Sequence, residues 1–321
     1  MTANNVTATY TNLEHGITVV DAEYGTSGVA ALYLLQQGDQ VAVIETGTNH
    51  SVPLISQVLE TKGLSFDNVR YVIPTHVHLD HAGGAGELMH HCVNAELIIH
   101  PFGAAHMIDP SRLEAGTIAV YGEERFRKLY GSIRPIDEQR VIKAPDGFSV
   151  SLNGRELEFL DTPGHARHHF CVLDKTSKGI FTGDTFGVCY PQLTTTEGRF
   201  CFATTTPVQF DPDALIESVA RLMSYQPETM YLTHFGALKP TPAIVKQLKK
   251  SITDIRDMAL SCKDITENRV NVLETKLLKH VLQELADLHC EQSPELQTAV
   301  MLNDIKLNAQ GMDVWLTRLD R

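Results

Sequence analysis

The sequence predicts a mixed α/β fold that ends in an α-helical region, and three observations carry that prediction. Up to about residue 240, short apolar runs bounded by Gly, Asn and Asp are interspersed with segments of helical spacing. One polar cluster, His76-Val77-His78-Leu79-Asp80-His81, sits between an apolar run and a helix-like segment. Strand-to-helix loops of that kind are where α/β folds place their chemistry. Beyond Pro240 the apolar residues keep helical periodicity through three long segments with few turn signals inside.

In chain order, Ile17–Asp21 and Ala31–Leu35 read as strands, with Gly38-Asp39 as the turn into a third strand, Val41–Ile44. Pro53–Lys62 carries Leu54, Ile55, Val58 and Leu59 at helical spacing. Val69–Pro74 is a buried strand that delivers the histidine loop, and Glu96–His100 is another strand. Ser111–Tyr130 is charged and partly helical, with the character of an insertion over a cleft. Asn153-Gly154 between two alternating runs predicts a tight hairpin. Gly179–Thr182 reads as a short strand ending at Gly183-Asp184, and Phe186–Pro212 as a polar, aromatic-bearing loop. Asp211 or Asp213 caps a helix to Tyr225. Met230–Thr233 is the last strand and leads to His234. Helices follow over Pro242–Cys262, Asn268–His289 and Pro294–Arg318, with Met301, Leu302, Ile305, Leu307 and Trp315 as anchors.

The 321 residues are 43% hydrophobic, enough for a sizeable core. A formal charge of −12 repels polyanions, so neither nucleic acid nor an anionic membrane surface is an expected partner. No apolar run approaches a membrane span, and Met1–Asn12 lacks the pattern of a secretory leader. A cytoplasmic location is expected. The six cysteines are scattered without a C-x-x-C, which in a chain of this size predicts reduced, mostly buried thiols.

The polar cluster carries the chemistry. On an extended segment His76 and His78 point to the same side and can grip one metal ion. Asp80 and His81 are adjacent at a turn and can face a second. Imidazole and carboxylate ligands suit zinc, and also iron or manganese. Further candidates, His165, Asp184 and His234, each end a strand-like run.

These residues carry a resemblance. His76 to His81 is similar to the signature of the metallo-β-lactamase superfamily. Thr162-Pro163-Gly164-His165, Thr182-Gly183-Asp184-Thr185 and Thr233-His234-Phe235-Gly236 resemble its later motifs, in order, over roughly residues 16 to 240. The resemblance implies a four-layer αββα sandwich as a catalytic domain over residues 1–239, with an α-helical C-terminal region over 240–321. It implies one metal on His76, His78 and His165, a second on Asp80, His81 and His234, and Asp184 bridging them. Glu45 stands where the family commonly has an aspartate that supports the metal histidines. The implied cofactor is a pair of divalent ions, zinc first, with iron or manganese as alternatives. The implied reaction is attack by a hydroxide bridging two metals on a small ester, thioester or lactone, with Asp80 relaying a proton to the leaving group.

Within the superfamily the chain is similar to hydroxyacylglutathione hydrolases. Those enzymes continue past the bridging aspartate into a loop with glycine and arginine. Here the loop is Thr185-Phe186-Gly187-Val188-Cys189-Tyr190, so Phe186 and Tyr190 become the candidate substrate contacts. A small-molecule substrate is expected, and the C-terminal helices are a candidate homodimer surface. Two alternatives use the same scaffold: a di-iron redox or oxygen-sensing protein, and a phosphodiesterase. Flavodiiron relatives commonly carry glutamate where His78 stands and continue into a flavodoxin domain, and this sequence has neither feature.

Overall fold

The computed structural model describes residues 6–205 and 208–319. The chain divides into two compact units. The first takes the described parts of Met1–Asp161, with His168–Gly183 and Thr233–Ala237. The second takes Thr162–Arg167 and the described parts of Asp184–Leu232 and Leu238–Arg321.

In the first unit, one sheet is built in sequence order from β1 (Tyr10–Asn12), β2 (Ile17–Asp21), β3 (Ala31–Gln37), β4 (Gln40–Ile44), β5 (Val69–Ile73), β6 (Glu96–Ile99) and β7 (Val141–Lys143). Strands β1 to β4 run antiparallel, and Gly38-Asp39 is the predicted turn between Gln37 and Gln40. From β4 to β7 the pairing is parallel. Parallel neighbours need crossovers, and helices supply them. These are α1 (Val52–Thr61), then α2 (Leu79–Ala82) and α3 (Ala85–His91), then α4 (Ala104–Ile108), α5 (Ser111–Tyr121) and α6 (Glu123–Tyr130). Val20, Leu32, Leu34, Val43, Ile55, Leu59, Val72, Leu88 and Leu97 join in one core. That burial fixes where β5 ends, and so where the histidine loop begins.

The second sheet has the order β15-β14-β11-β10-β9-β8. Its strands are β8 (Ser149–Leu152), β9 (Arg155–Asp161), β10 (Phe170–Asp174), β11 (Gly179–Val188), β14 (Thr229–His234) and β15 (Gly236–Leu238). Asn153 and Gly154 both take positive φ, +47° and +87°, between the paired Leu152 and Arg155. That is the tight hairpin predicted from Asn-Gly. Arg155 and Asp174, both buried, join β9 to β10 through a paired guanidinium and carboxylate, with Nε to Oδ1 at 2.9 Å.

The second unit adds the small hairpin β12 (Thr194–Thr195) and β13 (Gly198–Arg199), then helices α7 (Pro212–Ser224), α8 (Pro242–Leu260), α9 (Arg269–Asp287) and α10 (Pro294–Leu319). Asp211, not Asp213, caps α7, accepting from Ala214 N at 3.1 Å.

Three sequence expectations change. Strand β11 does not stop at Asp184 but continues, wholly buried, to Val188, which pairs with Phe202. Its polar residues look loop-like in sequence, yet the ladder satisfies their backbone groups. A further short strand, β15, follows His234. On α10, Met301, Ile305 and Trp315 are buried, but Leu302 is exposed on the far face of the helix. Among the described residues, no helix is long and apolar enough to cross a membrane.

Candidate metal centre

Five buried or half-buried residues of β5 run into Pro74, and the chain then turns through Thr75–His78 into α2. His78 keeps an extended backbone, with φ −61° and ψ 145°. The His76 and His78 rings meet edge-on, with centroids 4.4 Å apart. His76 Nε2 lies 2.8 Å from His78 Nδ1. Asp80 and His81 are not in an open turn. They sit in the single helical turn α2, which starts with His81 N donating to His78 O at 3.0 Å.

Asp80, His81 and His234 each offer a ligand atom, and these atoms lie within 4.8 Å of one another. Asp80 Oδ2 is 3.7 Å from His81 Nε2 and 3.5 Å from His234 Nε2. In the second unit, His165 Nε2 lies 3.3 Å from Asp184 Oδ2. Two ligands each about 2.1 Å from a tetrahedral ion stand about 3.4 Å apart, so these spacings suit a shared cation.

The opposite ring nitrogens agree. His81 Nδ1 is 2.9 Å from Glu45 Oε1, His234 Nδ1 is 2.7 Å from the Val29 carbonyl, and His165 Nδ1 is 2.8 Å from Thr204 Oγ1. An acceptor at Nδ1 holds the proton there and presents Nε2 as the lone-pair nitrogen. The donor set therefore fits divalent ions of the zinc, iron or manganese kind. His169, fully buried, and His168 approach the His76 ring, at centroid distances of 4.8 and 6.1 Å. They lie just before β10.

Glu45 is buried and takes more than His81. Its carboxylate also accepts from Thr75 N at 3.0 Å, Thr75 Oγ1 at 2.6 Å and Thr233 Oγ1 at 2.9 Å. Phe186 is fully buried on β11, and Tyr190 donates its hydroxyl to Asp304 Oδ2 at 3.1 Å. Sequence reasoning missed Thr204, which lies in a Thr-rich loop with no motif. It also missed the Val29 carbonyl, since a backbone acceptor leaves no side-chain signal.

A third set, Asp254, His280 and Glu284, also clusters in the second unit. There the Lys250 ammonium stands 2.5 Å from Asp254 and 2.9 Å from Glu284, in the place a metal cation would take. That set reads as an ion-pair network joining α8 to α9.

Residues 25–234 match the metallo-beta-lactamase superfamily. The chain is 24% identical over 216 residues to the metallo-beta-lactamase fold-containing protein ST1585 of Sulfurisphaera tokodaii, covering 66% of this chain and 75% of that one. The crystal structure of ST1585 superposes with a TM-score of 0.64 at 22% identity, over 93% of this chain and 98% of that one. The acyl-coenzyme A thioesterase MBLAC2 of Bos taurus is 28% identical over 187 residues, 54% of this chain. That match spans 64% of the bovine protein's length, slightly less than two thirds. The metallo-β-lactamase fold that the sequence resemblance implies is the fold these matches show, and α8, α9 and α10 supply the expected helical C-terminal region.

Proposed function

Because this chain belongs to the metallo-β-lactamase superfamily, we propose that it is a dinuclear metal-dependent hydrolase acting on a small thioester of the acyl-coenzyme A kind. His76, His78 and His165 would hold one ion, Asp80, His81 and His234 the second, and Asp184 would bridge. The single observation that carries the reading is the paired use of the histidine nitrogens. His81, His165 and His234 each turn Nε2 toward a carboxylate oxygen at 3.3–3.7 Å while Nδ1 meets a protein acceptor. Ordinary core histidines have no reason to share that arrangement.

When bound, the two ions supply Lewis acidity and bring the pKa of water down to about 7. The chain's own residues do the rest. Glu45, Val29 and Thr204 hold the ligand rings in orientation. Asp80 is the most open of the second set, with its side chain 24% exposed, and would carry a proton to the leaving group. A thiolate leaving group needs less protonation than an alkoxide, which suits a weakly assisted site.

The thioester preference rests on the MBLAC2 similarity, not on glutathione recognition, for which the loop after Asp184 has no matching arginine. The domain division at residue 240, a small-molecule substrate and a cytoplasmic location go with this reading. The test is a panel of acyl-coenzyme A thioesters, glutathione thioesters, lactones and phosphodiesters, assayed with metal-loaded protein. Turnover concentrated on the acyl-coenzyme A members supports the reading. Turnover confined to phosphodiesters overturns it.

A further inference from the structure

We propose that Thr204 is a positioning residue for His165 and Asp184, and that Asn308 of α10 holds Thr204 in place. The C-terminal helices would then be part of the metal site's construction. The inference rests on the metal-dependent reading above.

Thr204 has one hydroxyl proton and lies against both groups. Its Oγ1 donates to Asp184 Oδ2 at 3.4 Å and stands 2.8 Å from His165 Nδ1. A hydroxyl that donates to the carboxylate must accept from the imidazole. This orders a short relay, His165 Nδ1–H to Thr204 Oγ1–H to Asp184 Oδ2. It fixes the His165 proton on Nδ1 and leaves Nε2 facing Asp184 Oδ2 at 3.3 Å. One threonine thus sets the tautomer of one ligand and the rotamer of another.

Thr204 lies outside any helix or strand. Its backbone is held from both sides by the C-terminal helices. Asn308 Nδ2 donates to the Ala203 carbonyl at 2.9 Å, and Thr205 N donates to Asn308 Oδ1 at 2.8 Å. Thr205 Oγ1 donates to the Asn308 carbonyl at 3.1 Å, and Ala203 N donates to Ser251 Oγ of α8 at 3.0 Å. The Asn308 amide therefore brackets Thr204 through the residues before and after it. A buried amide inside a helix is costly unless its donors and acceptor are used. Here both ends of the amide serve this segment.

The approach is close by design. A Cβ on Gly311 would fall 1.4 Å from the Thr205 carbonyl oxygen, so only glycine lets α10 reach this loop. Asp304, Asn308 and Gly311 lie four and three apart on one helix face. From that face Asp304 also takes the Tyr190 hydroxyl.

The test uses the full chain and cobalt(II) as the probe, read by its visible absorption and by chelator competition. Thr204→Val keeps the shape and removes the hydroxyl, Thr204→Ser restores it, and Asn308→Ala removes the bracket. Thr204→Val is expected to weaken cobalt binding at one of two sites by about 10- to 100-fold and to change the absorption bands. Thr204→Ser should return both to near wild type, and Asn308→Ala should follow Thr204→Val. Lys306→Ala, on the exposed face of α10, should leave binding unchanged. If Asn308→Ala loses its near-ultraviolet circular dichroism, Thr204→Val and Thr204→Ser decide alone. Wild-type affinity and spectrum in Thr204→Val overturn this inference while leaving the metal-dependent reading intact. A wild-type protein that takes up no cobalt overturns that reading and this inference together.

Discussion

Glu45 Oε1 lies 2.9 Å from His81 Nδ1, and the same carboxylate collects Thr75 and Thr233. It ties the ends of β4, β5 and β14 to the His81 ring. Glu45 holds a left-handed backbone, φ +64°, which costs a non-glycine residue about 1 kcal/mol or more. The carboxylate's four hydrogen bonds offset that strain.

Glu45→Gln keeps the size but removes the charge and one acceptor. Metal affinity is expected to fall about tenfold or more, as it does when a histidine loses its carboxylate partner. Metal-free stability should fall by about 1–3 kcal/mol, because a threonine hydroxyl or the imidazole loses its acceptor. Chelator competition and denaturant unfolding measure the two effects separately. Unchanged affinity would show that Glu45 supports the fold alone.

Gly183 takes φ +48°, and a Cβ there would stand 2.4 Å from Thr75 Oγ1 and 2.5 Å from His169 Nε2. Gly183→Ala should push Thr75 off Glu45 and disturb His76 beside it. Bound metal per chain should drop, together with melting temperature. Elemental analysis that finds wild-type metal content in this variant contradicts the packing described for the loop.

Burial pushes the Asp174 carboxyl up, but hydrogen bonds from Arg155 and Ser177 outweigh it and hold its pKa below the usual aspartate value. A depressed folded pKa stabilises above the unfolded value, near 4, and that stability is lost as pH falls through the folded value. Unfolding free energy should therefore fall with acid below about pH 4 in the wild type. In Asp174→Asn this contribution to the acid slope should disappear. That variant also strands the buried Arg155 charge and should lose about 3–5 kcal/mol at neutral pH. Urea titrations across pH check both points.

Burial pushes the Cys92 thiol up to about 12, with Arg140 pulling it down and Asp67 raising it further. Burial and the neighbouring Cys189 raise Cys201 as well. Thiolate is the reactive form, so both should be inert in the folded protein. Of the six cysteines only Cys290 is half-exposed. Iodoacetamide at pH 8 should modify Cys290 first, and all six only after unfolding. Mass spectrometry that finds Cys92 labelled as fast as Cys290 contradicts the burial.

Much of the candidate site was legible because its side chains cluster in sequence. His76, His78, Asp80 and His81 lie within six positions, and the spacing of the first two predicted a shared side. Glu45 was legible through the family resemblance, as a carboxylate where the family commonly has an aspartate, and Asn153-Gly154 as a hairpin. Thr204 and Asn308 were not. Asn308 meets Thr205 across 103 positions, and no local pattern encodes a contact so distant. The extent of β11 was hidden for a related reason. Gly183, Asp184 and Gly187 have weak strand preference, and tertiary burial rather than propensity keeps them in the strand.

The most direct test is acyl-coenzyme A hydrolysis by one preparation assayed as purified, after chelator treatment, and after restoring zinc, with metal per chain measured at each stage. The account predicts turnover with about two ions bound, its loss on stripping and its return on reconstitution. Two ions bound with no thioester hydrolysis above the buffer rate, or equal turnover in stripped protein, would contradict it.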